Sequence, residues 1–404
     1  MQNWERKKLS DIVTQINGLW KGKKEPFINV AVIRNTNFSK DCQLKLDDVE
    51  YLDVEVKQFE SRKLKYGDII IEKSGGSEKQ PVGRPILFDI TEGNYSFSNF
   101  TSTLRIKETS DVSSEYLQQY LYYRWLEGDT RNLQSHTTGI HNLDFKKYLD
   151  FEIPLPPLEE QKRIVKILDE KFAQLETVKA NAKTNFQNAK DLFQSQLTKA
   201  FSNSTWEKKR LGDCGTFKNG MNFASTDTGY TIRSLGVGDF KNLYQIDDTE
   251  QLSEISLKAA PSEDYLLKDE DIVFVRSNGN KELVGRCLLV YPKNIPTTYS
   301  GFCIRFRKDH DELDADFLLH YMKAESSRKI LNGKEGANIS NLNQKILGDF
   351  EVPVPPLSEQ KRIVEQLDSL SEKVRSLEEI YTKQLANCDE LKQAFLAKAF
   401  NGEL

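Results

Sequence analysis

Residues 151–169, FEIPLPPLEEQKRIVKILD, recur almost unchanged as residues 350–368, FEVPVPPLSEQKRIVEQLD. Fourteen of the nineteen positions are identical, at an offset of 199 residues. A near-copy of this length at this distance is an internal repeat, and a repeat has to be recognised before any other assignment is made. This one divides the 404-residue chain into two equivalent halves.

The repeat extends beyond that stretch. Trp4-Glu5 recurs as Trp206-Glu207, and the run DIIIEKSGGSEKQPVGRPILF from Asp68 matches DIVFVRSNGNKELVGRCLLV from Asp271. Each half therefore consists of a variable segment of about 150 residues followed by a more similar segment of about 45 residues.

The similar segments are predicted to be long helices. Prolines at 154, 156 and 157, and at 353, 355 and 356, favour an extended lead-in and a first helical turn. No proline follows from Leu158 to Phe201, or from Leu357 to the end of the sequence. Apolar residues then recur in steps of four and three, which is the 3.5-residue period of a coiled coil. Each helix of about 44 residues would be about 65 Å long.

Connectivity predicts how the helices pair. Only Ser202 to Thr205 link the first helix to the second variable segment, so that segment must lie at the far end of the helix. The second helix can bury its apolar stripe only by running back along the first. We expect an α+β protein with two mixed α/β domains, 1–153 and 202–352, joined by an antiparallel coiled coil from 154–201 and 353–404. The arrangement would be circular and pseudo-twofold, with Phe400 near Trp4.

Both variable segments contain a predicted hairpin with a polar tip. Short apolar runs, Ile69 to Ile71 and Ile272 to Val275, have the composition of strands. Each is followed by a glycine-containing polar turn and then by a second apolar run, Pro85 to Phe88 and Cys287 to Val290. Helical spacing follows over 114–126 and 314–324.

Composition sets limits on the class of protein. The net charge of −4 neither favours nor opposes nucleic-acid binding. No apolar run reaches the roughly 18–20 residues of a membrane span, and the first residues lack the apolar core of a signal peptide, which predicts a cytoplasmic protein. The five scattered cysteines are expected to be reduced thiols. A metal site is not expected, because His136 and His141 have no cysteine neighbours.

The doubled Pro-Pro-Leu…Glu-Gln…Arg-Ile-Val signature, opening a long helix after a variable domain, resembles the specificity subunit of Type I restriction–modification systems. The resemblance covers essentially the whole chain. It implies that each variable part is a target-recognition domain reading one half of an interrupted site in double-stranded DNA. It also implies that the helices act as a spacer and dock two methyltransferase subunits, and that restriction/translocase subunits join the complex. The chain itself would be non-catalytic and would bind no cofactor, with S-adenosylmethionine on the methyltransferase and ATP and Mg on the restriction subunit.

Base reading requires donors and acceptors at base edges, and phosphate contacts require cations, hydroxyls or backbone amides. Three polar regions in each domain meet these requirements: the hairpin tip, the approach to the Asn-Leu pair, and the basic early loops. The candidates in the first domain are Lys73, Ser74, Gly75, Lys79, Arg84, His136, Thr137, Thr138, His141, Lys21, Lys23 and Arg34. Those in the second are Arg276, Ser277, Asn278, Asn280, Lys281, Lys334, Asn338, Ser340, Lys218 and Arg233. A surface hairpin without a ligand, local capping and solvated charge remain alternatives for the three regions respectively.

Two repeated sets of residues concern partner subunits. The repeated helix starts suggest docking of two identical subunits through Glu160, Gln161 and Arg163, and through Glu359, Gln360 and Arg362, since a pseudo-symmetric surface can bind the same partner twice. Common ancestry with little drift would also explain the identity.

The rival classes are an enzyme, such as a self-sufficient methyltransferase or nuclease, and a coiled-coil scaffold that binds two proteins. Against an enzyme, there is no P-loop and no Asn/Asp-Pro-Pro-aromatic motif. The bases recognised, the length of the spacer between half-sites and the presence of a functional restriction subunit do not follow from the sequence.

Overall fold

The computed structural model describes residues 4–20, 22–78, 80–137, 140–241, 244–331 and 341–404. The chain forms two compact units: Met1–Ala182 with Lys383–Leu404, and Lys183–Thr382. Each unit thus contains one variable segment, part of the first long helix and part of the second.

The first unit consists of short strands, short or moderate helices and the first part of a long helix. The strands are β1 Glu5–Lys8, β2 Val13–Asn17, β3 Phe27–Ile33, β4 Glu50–Glu55, β5 Asp68–Glu72, β6 Pro85–Phe88, β7 Tyr95–Phe97, β8 Thr101–Ile106, β9 Gln134–Thr137, β10 Ile140–Leu143 and β11 Glu152–Leu155. The helices are α1 Leu9–Ile12, α2 Val56–Arg62, α3 Ser114–Leu126, α4 Phe145–Tyr148 and α5 Leu158–Ala200.

The second unit repeats this plan. Its strands are β12 Lys208–Arg210, β13 Gly215–Asn219, β14 Tyr230–Leu235, β15 Gln245–Ile246, β16 Glu254–Leu257, β17 Asp271–Val275, β18 Cys287–Val290, β19 Thr297–Tyr299, β20 Cys303–Lys308 and β21 Glu351–Pro353. Its helices are α6 Leu211–Cys214, α7 Ala315–Lys323, α8 Glu325–Leu331, α9 Gln344–Gly348 and α10 Leu357–Phe400, the last of which ends in the first unit.

The sheets have corresponding strand orders. The first unit has a four-stranded sheet, β2-β8-β5-β6, and a three-stranded sheet, β4-β3-β7. The second unit has a five-stranded sheet, β13-β20-β17-β18-β15, and a three-stranded sheet, β16-β14-β19. In each unit the strand after the opening Trp-Glu pair is antiparallel to the strand that leads into the long helix, as β1 with β11 and β12 with β21. The predicted hairpins are the antiparallel pairs β5–β6 and β17–β18.

A buried carboxylate opens the central strand of each unit. Asp68 accepts two hydrogen bonds from Arg105, at 2.8 and 2.7 Å, and Asp271 accepts two from Arg307, at 2.7 and 2.6 Å. Burial raises the pKa of Asp271, and the Arg307 hydrogen bonds oppose that rise. Because the same pair fixes the sheet at the same place in both units, positions in one unit can be compared with positions in the other.

The two long helices confirm the sequence prediction. They contain 43 and 44 residues, and the buried positions on α5 include Leu168, Leu175, Ala182 and Ala189, a spacing of seven. Within the first unit Lys179 pairs with Asp389 at 2.6 Å, and within the second Lys190 pairs with Glu378 at 3.7 Å. Within the first unit Arg163, near the start of α5, also donates to the carbonyl of Leu404, just after the end of α10, so the two helix segments of this unit run antiparallel.

The ends of both helices are buried in the domain cores. Phe400 contacts the rings of Tyr116, Tyr120 and Tyr123 on α3, and Trp4 packs in the same core, as expected from connectivity. Phe201 makes the equivalent contacts with Phe317 and Tyr321 in the second unit. The three tyrosines therefore pack in or against the core of the first unit.

Candidate nucleic-acid interface

The tip of the first hairpin begins where β5 ends. The backbone N–H groups of Lys73 and Ser74 both donate to the carbonyl oxygen of Phe100, at 2.9 and 3.0 Å. The Lys73 ammonium donates to Oδ1 of Asn17 at 3.4 Å. The tip is thus held to the loop before β8, while the Lys73 side chain stays at the surface of the unit.

A second predicted segment lies against this tip. The N–H of Leu143 donates to the carbonyl of Lys73 at 2.8 Å, and the N–H of Gly75 donates to the carbonyl of His141 at 3.0 Å. The Ser74 hydroxyl donates to Oδ1 of Asn142 at 2.6 Å. Two polar regions that are about 68 residues apart in the sequence therefore form one surface.

The remaining candidates of this segment lie on β9 or outside the described residues. His136 is opposite His141 in the β9–β10 pair, and Thr137 is opposite Ile140. Thr138 lies outside the part of the chain that the structure describes, as do Lys79 of the hairpin tip and Lys21 of the early loop.

The early loop of the first unit also reaches the tip. The amide nitrogen of Asn35 donates to the carbonyl of Ser74 at 2.5 Å. Its neighbour Arg34 is paired with Glu50 at 2.5 Å, so part of its charge is already balanced. The backbone N–H groups of Lys24 and Lys23 donate to the Glu55 carboxylate, which lowers the pKa of Glu55 and fixes the backbone that carries the exposed Lys23 side chain.

Arg84 has to be removed from the candidate interface. Its side chain is 5% exposed, and its Nε donates to Glu72 at 2.6 Å. A further nitrogen donates to the carbonyls of Phe38 and Ser39. A guanidinium enclosed and paired in this way is a structural cation and does not present a free edge to a phosphate.

In the second unit the tip is built in the same way. The N–H groups of Arg276 and Ser277 point to the carbonyl of Phe302, at 2.8 and 3.4 Å, and the N–H of Leu342 donates to the carbonyl of Arg276 at 2.8 Å. Arg276 thus occupies the position of Lys73. The candidates Lys334, Asn338 and Ser340 lie outside the described residues.

Other candidates of the second unit have local partners. Oδ1 of Asn278 accepts from the N–H of Asn280, and Oδ1 of Asn280 accepts from the N–H of Glu282, so both amides shape the loop that leads to the exposed Lys281. Lys218 is paired with Asp264 at 2.9 Å, which lowers the pKa of Asp264. Arg233 donates to the carbonyl of Leu252 and pairs with Glu254 at 3.2 Å. Hence Lys218 and Arg233 are weaker candidates for phosphate contact than Arg276.

Gln161 and Gln360 also require a correction, because both are fully buried and therefore cannot dock a partner subunit. Oε1 of Gln161 accepts from the N–H of Ser113 at 2.9 Å, and its Nε2 donates to the carbonyls of Asp111 and Pro156, both at 2.9 Å. Gln360 makes the same three contacts, with Asp314, Glu312 and Pro355. These glutamines join the start of each long helix to its own domain.

The charged neighbours of these glutamines are accessible, although Glu160 and Glu359 are partly buried. Glu160 and Arg163 form a bidentate pair, as do Glu359 and Arg362. The paired arginine lowers the pKa of Glu160 and likewise that of Glu359. These four side chains are accessible at the helix starts and remain candidates for docking.

Three exposed aromatic side chains lie beside the tips and were not predicted from the sequence. Phe100 and Phe302 are 45% and 59% exposed although their carbonyls hold the tips in place, and Trp20 is 66% exposed. A repeated signal was present: Ser98-Asn99-Phe100 recurs as Ser300-Gly301-Phe302. The exposure of these rings became visible only in the structure.

Comparison with known proteins bears on both units. Residues 1–184 and 203–385 match the family model for the Type I restriction modification DNA specificity domain, so the match covers most of both units. The chain belongs to this family. Within the described residues of this specificity subunit, no helix is both long and apolar enough to cross a membrane.

Curated relatives of this specificity subunit carry the same description. It is 28% identical to the Type I restriction enzyme StySPI specificity subunit of Salmonella potsdam, over 100% of this chain and 89% of the relative. It is 26% identical to the EcoKI specificity subunit of Escherichia coli strain K12, with the same coverage.

Solved structures share the fold of the specificity subunit. One, from work on complex assembly and conformational transition of the type I R-M system, has a TM-score of 0.80 at 19% identity and covers 99% of this chain and 98% of its own. The HsdS subunit from Thermoanaerobacter tengcongensis has a TM-score of 0.60 at 19% identity, with 99% and 97% coverage. These likenesses confirm the α+β class with two long packed helices.

Proposed function

We propose that each unit of this specificity subunit reads one half of an interrupted site in double-stranded DNA. The observation that carries the proposal is the doubled tip, in which a cationic residue, Lys73 or Arg276, stands at the same hydrogen-bonded position of each unit. The surrounding residues differ between the units, which supports two half-sites of different sequence. A cation near phosphates or guanine edges supplies both affinity and discrimination.

The long helices are assigned the role of spacer and docking surface. Gln161 and Gln360 join each domain to the start of a helix, so the helix length would fix the distance between the half-sites. Two methyltransferase subunits would dock near the accessible pairs Glu160–Arg163 and Glu359–Arg362, one at each helix start. Restriction/translocase subunits would then complete the assembly, which acts on DNA in the cytoplasm.

The chemistry is assigned to the partner subunits. S-adenosylmethionine would be bound by the methyltransferase, and ATP and Mg by the restriction subunit, while this chain would bind no cofactor and catalyse no step. Its contribution would be to position a methyltransferase over each half-site.

A binding and methylation assay tests this assignment. The complex with its methyltransferase subunits should bind a duplex carrying the site selectively in moderate salt, and S-adenosylmethionine should then be consumed. Replacing Lys73 or Arg276 by Ala should weaken binding by about 1–3 kcal/mol. The matched control is Lys183→Ala on the exposed face of α5, which should change binding by less than twofold.

The rival functions predict other outcomes. Methyl transfer by this chain alone would show an enzyme. A complex without any affinity for DNA would show a protein scaffold. Either result would overturn the proposal.

A further inference from the structure

The first unit contains a cavity of about 460 Å3 directly beside the hairpin tip. Its floor is apolar and includes Val32, Leu52 and Val54, while Trp20 and Phe100 form exposed aromatic walls. Asn35 belongs to the polar part of the lining. An apolar cleft of this size with a few polar groups is typical of a site for a small organic group.

A close backbone approach builds the two aromatic walls. A Cβ added at Gly18 would lie 1.8 Å from the carbonyl oxygen of Ser98, so only glycine fits at this position. The N–H of Leu19 donates to the carbonyl of Phe97 at 2.8 Å. The chain before Trp20 is thereby held against the chain before Phe100, and both rings reach the same cleft.

The cavity and the tip share structural elements. Asn35 lines the cavity, and its amide nitrogen donates to the carbonyl of Ser74. The carbonyl of Phe100 accepts from Lys73 and Ser74. A molecule that engages the tip therefore lies next to the cavity.

Two polar atoms near the cavity have no hydrogen-bond partner among the described residues. They are Oδ1 of Asn35 and Nε of Arg34, one an acceptor and one a donor. Buried polar groups are normally paired, and an unpaired one calls for an explanation such as an absent ligand. Both atoms are closed off from solvent, so the donors and acceptors of a base edge would reach them only after these two side chains turn toward the cavity.

We propose that this cavity takes one unstacked base of the bound duplex, held between Trp20 and Phe100. The inference rests on the proposed function, because the base comes from the DNA that the tip engages. Stacking on aromatic side chains is worth about 1–3 kcal/mol per base, while extruding a base costs a few kcal/mol. The two contributions are comparable, so contacts at the tip would decide whether the base leaves the helix. The first unit would then read this base by its fit to the cavity.

The second unit differs at two of the three relevant positions. Asn222 stands where the first unit has Trp20, and Gly301 stands where it has Asn99, whereas Phe302 is retained. The proposal therefore applies to the first unit, and Trp20→Asn is a natural test variant because it introduces the residue that the other unit carries.

The experiment uses the full-length chain in complex with its methyltransferase subunits and duplexes containing the mapped site. 2-Aminopurine is placed at each position of the first half-site in turn, because its fluorescence increases when it leaves the base stack. Positions of methylated adenines are excluded, since methyltransferases extrude their target base. We expect one further position to brighten several-fold, and this signal to disappear with Trp20→Asn and with Phe100→Ala but not with Phe302→Ala.

A mismatch provides a second measurement. Unpairing the same position in advance removes part of the extrusion cost, so it should tighten binding of the unmodified complex by about tenfold and leave Trp20→Asn complexes little changed. Circular dichroism melting of the variants checks that they are folded.

The inference is overturned if no further position brightens, or if the signal survives both substitutions in the first unit. If the complex binds and methylates its site selectively but no further position brightens, the proposed function stands, and a protein side chain becomes the expected occupant of the cavity. If the unmodified complex showed no selective binding to the site, the proposed function itself would be refuted.

Discussion

The substitution Gln161→Ala tests whether a single buried amide joins the first domain to its helix. The side chain is fully buried, and all three of its hydrogen bonds are to backbone groups at 2.9 Å. Truncation leaves the N–H of Ser113 and the carbonyls of Asp111 and Pro156 without this partner. Each buried group left unpaired costs about 1–3 kcal/mol, and water entering the space recovers part of it. We expect a loss of about 3–5 kcal/mol in the stability of the first unit.

The measurement has to resolve the two units. A chain of this size with two compact units is not expected to unfold in one step, so hydrogen exchange in increasing urea should be followed separately for peptides of α3 and α7. Protection of α3, which begins at Ser114, should fall in Gln161→Ala, while protection of α7 should not. The equivalent Gln360→Ala should show the reverse pattern.

Two further variants separate hydrogen bonding from packing. Gln161→Glu keeps the shape and the acceptor for Ser113, but it replaces the donor that faces two carbonyls, so it should be at least as damaging as the alanine variant. Gln174→Ala, at an exposed position of the same helix, should change stability by less than about 0.5 kcal/mol. A cost below about 1 kcal/mol for Gln161→Ala would refute the reasoning.

Three other perturbations have outcomes set by the structure. Arg84→Met should lower the unfolding free energy of the first unit by about 3–5 kcal/mol, because Glu72 is left buried without its partner. Lys73→Met should lower it by under about 0.5 kcal/mol and should weaken DNA binding instead. Equal losses of stability for the two variants in urea titrations would contradict this. Burial lowers the pKa of Lys323 to about 8. Between about pH 8 and 10.5 the unfolded chain therefore binds more protons at this residue than the folded chain does, so the free energy of unfolding rises with pH. The stability of the unmodified protein relative to Lys323→Met should therefore rise by roughly 2 kcal/mol between pH 7 and pH 10, and a difference that stays constant over this range in urea titrations would show that the lysine is not the cause. A chain opened at 202–205, with the present termini joined by a short linker, should still fold, because Trp4 and Phe400 share one core; loss of far-ultraviolet circular dichroism would count against the layout.

Helices and hairpins followed from the sequence because their signals are local. Proline positions marked the lead-in to α5 and α10, and the seven-residue spacing marked the stripe that each helix buries. The turn after Ile71 was recognisable from its glycines and the two flanking apolar runs. In each case one stretch of the chain contains the whole signal, so the structure confirms it.

The roles of individual polar residues depended on distant contacts. Arg84 looked like part of an exposed tip, but the pairing of β6 with β5 turns it toward Glu72. Gln161 and Gln360 looked like a repeated docking surface, and they are repeated because each makes the same internal bonds. A residue that is repeated in both halves has the same role in both, but the repeat does not show whether the residue is buried or exposed.

The aromatic walls were missed for a related reason. The sequence shows Trp20 and Phe100 as ordinary apolar residues about 80 positions apart. Only the approach of Gly18 to Ser98 brings them together, and only the fold shows that their rings remain exposed. The repeated Ser-x-Phe pattern was the available clue, but it does not distinguish an exposed ring from a buried one.

The central claim is that each unit reads one half-site independently. The most direct measurement is genome-wide mapping of methylated adenines in a host that expresses the complex, first with the unmodified chain and then with residues 1–150 replaced by those of another family member. One half of the recognised sequence should change, while the other half and the gap between them should stay the same. A recognised sequence in which both halves change, or neither changes, would contradict it.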